Sequence, residues 1–146
     1  MSISLSTSAS LDPTRATRRT GRSIGAVLAG IAAVFVLSLG TDQIFHALDI
    51  YPPWGQPMRS AGLFVLALAY RTVFNVFGGY LTARLAPHRP MKHALILGGV
   101  GLVLSIGGAI AAMTADLGPV WYALALVVEA LPCAWLGGRI FLRRAG

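Results

Sequence analysis

The chain has 146 residues, of which 55% are hydrophobic and 12% charged, with a net charge of +7 and a mean hydropathy of +0.70. A soluble domain carries about 25% charged residues, so this composition excludes an ordinary soluble enzyme and a nucleic-acid-binding domain. It predicts an all-α integral membrane protein, a four-transmembrane-helix bundle with both termini cytoplasmic.

Residues 1–22 are rich in Ser and Thr and carry Arg15, Arg18, Arg19 and Arg22. They read as a disordered basic N-terminal tail. The first span follows over about 23–41. Ser38 and Gly40 have the small size of residues at a signal cleavage site, and Arg18-Arg19 hints at a twin-arginine signal. The apolar run is longer than a signal core, however, so the expectation is an uncleaved helix.

The connection after it is the only long one. Pro52, Pro53, Gly55 and Pro57 break regular structure there. Ile44, Phe45, Leu48 and Ile50 suit a short amphipathic turn at the interface, with Tyr51 and Trp54 as anchors. Trp121 and Tyr122 mark the same level at the start of the fourth span. Asp42 and His46, four residues apart, share a helical face. Two such groups make no metal site, and a hydrogen-bonded or solvated helix end is expected.

The second span covers about 60–82 and contains Arg71. A basic loop with Arg84, Arg89 and Lys92 follows, where His88 and His93 are expected to be solvated or lipid-facing. The third span, about 94–115, has no formal charge. Gly101, Ser105 and Ala109 recur on it every four residues, as do Gly108 and Ala112. Small residues let helices approach closely in lipid, so these five positions are expected to pack against neighbours. Gly25, Ala29 and Ala33 form a comparable strip on the first span.

The fourth span, about 119–141, contains Glu129 with Pro132 and Cys133 shortly after it, and residues 142–146 form a basic C-terminal tail. Pro132 is expected to kink the helix beside the acid. The single cysteine excludes an internal disulfide and a CxxC redox pair. A faint repeat links spans two and four: Arg71, Gly78-Gly79 and Arg84 against Glu129, Gly137-Gly138 and Arg139.

Most basic residues lie before span one, between spans two and three, and after span four, while the other loops hold Asp42, Asp49 and Asp116 against the single Arg59. The positive-inside rule therefore predicts a bacterial-type inner-membrane protein, N-in and C-in. Attraction to anionic headgroups accounts for the remaining basic charge without nucleic acid.

Arg71 and Glu129 each lie about 15 Å below the outer boundary at 1.5 Å per residue, near the middle of a hydrocarbon core about 30 Å thick. The two helices run in the same direction, so the sequence predicts a mutual ion pair, with Asn75 one turn from Arg71. Two roles compete for this buried ion pair or transport site. It either clasps the helices permanently, or Glu129 exchanges a proton or cation under the influence of Arg71. No serine elbow, HExxH motif or paired catalytic carboxylates occur. The expectation is a non-enzymatic scaffold, accessory or assembly subunit of a membrane complex, without cofactor or metal. The alternative is an oligomeric transporter or channel. The expected partners are membrane lipids and either copies of itself or other membrane subunits.

Overall fold

A computed structural model describes residues 13–146, with side chains from residue 19 onward. Four helices account for most of the chain: α1 (Pro13–Ala47), α2 (Ala61–Leu85), α3 (Pro90–Thr114) and α4 (Val120–Ala145). All four are long and apolar enough to cross a membrane. The protein is a multi-pass, all-α membrane bundle.

The helix ends follow local chemistry. Pro13 and Pro90 occupy first-turn positions, where a missing N–H costs nothing. Leu85 ends α2 just before Pro87, whose ring disfavours helical geometry at Ala86. Helix α1 is longer than expected at both ends. Residues 13–22 belong to it rather than to a disordered tail: Ala and Arg favour helix, and the single glycine, Gly21, is carried within it. Residues 1–12 lie outside the described residues. At the other end α1 runs on through Asp42 and His46 to Ala47. Its 35 residues span about 50 Å, more than the hydrocarbon thickness. Helix α4 continues unbroken through Pro132, which lies on an exposed face.

Helix α2 contacts the other three helices; α4 packs on α2 and α3, and α1 on α2 with a lighter contact to α3. Helices α1 and α4 do not touch. Short connections make consecutive helices antiparallel, so α2 and α4 run side by side in the same direction. Their seam begins with Phe64 against Tyr122 (ring centroids 5.0 Å apart) and ends with Tyr80 against Phe141 (5.8 Å).

The core consists mainly of small residues, including Ala26, Ala67, Ala83, Ala94, Ala130 and Ala134, while many Leu, Val and Ile side chains face outward. In lipid this is the favourable distribution: large apolar groups have nothing to gain by burial, and backbones gain dispersion contacts by approaching. The closest approach is at the glycine doublets. A Cβ at Gly79 would lie 2.6 Å from the Ala134 carbonyl oxygen, and one at Gly137 would collide with the α2 backbone at Val76 and Tyr80. The repeat in the sequence therefore has a packing cause: Gly79 and Gly137 form the α2–α4 crossing, while Gly78 packs against α1 at Gly30 and Val34 and Gly138 against α3 at Met91 and Ala94.

The small-residue stripe on α3 is only partly used. Ala109 is buried and Gly101 just reaches the Ala130 methyl group, but Gly108 has open space around it and Ser105 and Ala112 are half-exposed. Gly98 carries the tight α3–α4 contact instead, 2.8 Å from the Ala134 Cβ by the same test. On α1 the contact line is Ala26 and Gly30, one position along from the expected strip.

Candidate functional site

Arg71 and Glu129 do lie at similar depth, but they are not an ion pair. Arg71 donates from Nη2 to Asp42 Oδ2 at 2.6 Å, bridging α2 to α1. Helical side chains lean toward their own N-terminus. Helix α1 runs toward the end of the bundle that carries the Pro-rich connection and α2 away from it, so Asp42 leans toward the middle of the bundle while Arg71 leans toward that end. Asp42 lies about 7 Å inside the end of α1 and Arg71 about 15 Å inside the start of α2, and the long arginine stem spans the difference. The sequence reading ended the first span at Thr41 and expected Asp42 at a hydrogen-bonded or solvated helix end; α1 runs on to Ala47, and Asp42 is hydrogen-bonded inside the bundle.

Asp42 has a second partner, since Tyr70 donates its phenol hydrogen to Oδ1. Tyr51 reaches the same group, with its hydroxyl oxygen 3.2 Å from that of Tyr70. Because the Tyr70 proton is engaged with Asp42, Tyr51 is the donor. Tyr51 is therefore not a lipid-facing anchor: it is 6% exposed and packs edge-on against Phe45, with centroids 5.3 Å apart. Burial pushes its phenol up from the ordinary tyrosine value. Trp54 is 69% exposed, as an anchor should be, and stacks on His46 at 4.0 Å. The His46 Nδ1–H is 2.8 Å from the Pro52 carbonyl oxygen, so this end of α1 is held by a hydrogen bond. Trp121 is exposed at the same end of the bundle, whereas Tyr122 turns inward.

Glu129 faces a different side of α2. Successive helical residues are 100° apart, so Arg71 points to α1 while Thr72 points to α4. Thr72 Oγ1 is hydrogen-bonded to Glu129 Oε2, and Asn75 Nδ2 donates to Oε1 at 2.8 Å. Asn75 thus joins the site through Glu129 rather than through Arg71. Thr72, adjacent to Arg71, carried no sequence signal, because a threonine in a membrane helix commonly bonds back to its own backbone. It does that too, with Oγ1 2.8 Å from the Leu68 carbonyl. Cys133, one turn beyond Glu129, is buried.

Two cavities meet at Arg71. The one at the end with the Pro-rich connection, about 560 Å³, is lined by Asp42, His46, Tyr51, Tyr70, Arg71 and Tyr122, with Asp116 also in its wall. The other, about 330 Å³, is an apolar cleft between α1 and α3 whose floor holds Arg71 and Asn75, with Gly101, Ser105 and Gly108 along one wall. Arg71 Nε is buried without a hydrogen-bond partner.

His93, expected to be solvated or lipid-facing in a basic loop, lies inside the first turn of α3, 5% exposed, with Nδ1 3.3 Å from the Arg89 carbonyl. Among the described residues no group of three or more His, Cys, Asp or Glu side chains gathers as a metal site. No protein-family model, curated protein or solved structure matches the chain.

Proposed function

We propose that the chain is a non-enzymatic carrier of the bacterial-type inner membrane that binds a small solute from the outer side at Asp42, Tyr70 and Arg71. One observation supports this reading above the others: the Arg71 side chain belongs to the walls of both the outer cavity and the α1–α3 cleft. Movement of that single side chain would join or separate the two spaces. An outer cavity of about 560 Å³ falls within the ordinary size range of small-molecule sites. The orientation is N-in and C-in, because Arg84, Arg89, Lys92, Arg139, Arg143 and Arg144 lie at or beyond the inner ends of the spans.

The test is solute-driven flux in proteoliposomes. Wild-type protein is expected to dissipate an imposed gradient of a transported solute, and Arg71→Gln and Asp42→Asn to abolish this while the protein remains folded. Flux unchanged in both variants would refute the assignment.

A second reading has its own support. The outer halves of α1 and α3 leave a cleft with Gly108 facing open space, which suits a scaffold or accessory subunit that receives a helix of another membrane protein. Native mass spectrometry from gently extracted membranes separates the two readings. Stoichiometric unrelated subunits support the accessory role, and a discrete homo-oligomer supports the carrier.

A further inference from the structure

The hydrogen bonds around Glu129 contain one more contact than the visible donors can serve. Thr72 has a single hydroxyl proton, yet its Oγ1 lies within hydrogen-bonding distance of both the Leu68 carbonyl and Glu129 Oε2. A carbonyl and a carboxylate are both acceptors only. If Thr72 donates to Leu68, the proton in the second contact must come from Glu129. Charge leads to the same result. Among the described residues the only cation in the membrane interior at this depth, Arg71, is committed to Asp42. An ionised Glu129 would leave a carboxylate in the bilayer with two neutral partners and no counter-charge, an expensive arrangement.

We propose that Glu129 is a proton-binding site, occupied in this structure: its carboxyl donates to Thr72 Oγ1, Thr72 donates to the Leu68 carbonyl, and the Asn75 amide donates to the other carboxyl oxygen. Asp42 and Glu129 then compete for one arginine. Release of the proton to water in the cleft that reaches Asn75 leaves a carboxylate within electrostatic reach of Arg71, and Arg71 exchanges Asp42 for it. Asp42 keeps its bond from Tyr70. Proton occupancy of Glu129 thereby sets whether Asp42 is covered by Arg71 or open to the outer cavity.

The groups facing Glu129 are few. Helix α2 contributes Arg71, Thr72 and Asn75. The titratable side chains of helix α3 are Lys92 and His93, both in its first turn. Helix α4 itself contributes Tyr122 and Cys133, and α1, which does not touch α4, brings only Asp42 through Arg71. As the coupling site of a carrier this rests on the function proposed above; as a protonated carboxyl it stands without it.

Glu129 is the only glutamate in the chain, so glutamate labelled with 13C at the side-chain carboxyl reports on it without any substitution. In full-length protein reconstituted in lipid at neutral pH, the resonance is expected at the carboxylic-acid position. In Asp42→Asn, where Arg71 is released, it is expected to move to the carboxylate position. A carboxylate resonance in the wild type overturns the proposal. An acid resonance that stays put in folded Asp42→Asn overturns the exchange of Arg71 between the two acids. Solute flux is read separately: an acid resonance in a protein that carries nothing removes the carrier reading and leaves the proton site, and flux with a carboxylate at Glu129 does the reverse.

Discussion

Asp42, Tyr70 and Arg71 hold α1 to α2 by charge-assisted bonds in a setting with little water to replace them. Removing one partner leaves the other charge stranded. Arg71→Ala is expected to destabilise the bundle by about 3 kcal/mol, measured by unfolding in detergent micelles. The double variant Asp42→Asn/Arg71→Gln leaves no orphan charge and should lose less than the two single variants combined, with a coupling of about 1–3 kcal/mol in the mutant cycle. A coupling near zero would mean that the bridge contributes nothing to stability. Thr72→Val, which keeps the shape and removes the hydroxyl, should cost about 1–2 kcal/mol by leaving Glu129 Oε2 without its partner.

Between helices, steric access decides which glycines matter. Gly137 meets the backbone of α2, which cannot move aside, whereas Gly107 has nothing within 4 Å. Gly137→Ala is expected to force α2 and α4 apart at a cost of about 1–3 kcal/mol. Gly107→Ala should be neutral or stabilising by up to about 1 kcal/mol through helix propensity. Equal effects in thermal unfolding of the two variants would contradict the α2–α4 crossing. The sequence marked α3 as the packing helix because its small residues are the most regular, yet the tight seam is on α2 and α4. Periodicity shows where a close approach is possible. Whether a neighbour fills the space depends on how the helices are arranged around one another.

For the molecule as a whole, the proposed orientation places the Pro-rich connection outside and the α2–α3 loop inside. In a Cys133→Ala background, Gln56→Cys should react with a membrane-impermeant thiol reagent on intact cells, and His88→Cys only after permeabilisation; both positions are exposed. The opposite labelling pattern would invert the topology and put the cavity of Asp42 and Arg71 on the cytoplasmic side.

Hydropathy and chain length by themselves determined four helices, their order and the depth of Arg71 and Glu129, because each depends only on the run of residues along one segment and the thickness of hydrocarbon it must cross. Helix length beyond the apolar run was less legible. The span appeared to end at Thr41, although nothing breaks the helix before the turn at Leu48 that precedes Pro52, and that extra turn and a half carries Asp42 into the bundle. Which acid Arg71 meets was settled by the tertiary structure alone. Depth is one coordinate, whereas partner choice also depends on the facing angle and the lean of each side chain. Arg71 and Thr72, adjacent in sequence, are turned by α2 toward different helices, one to Asp42 on α1 and the other to Glu129 on α4.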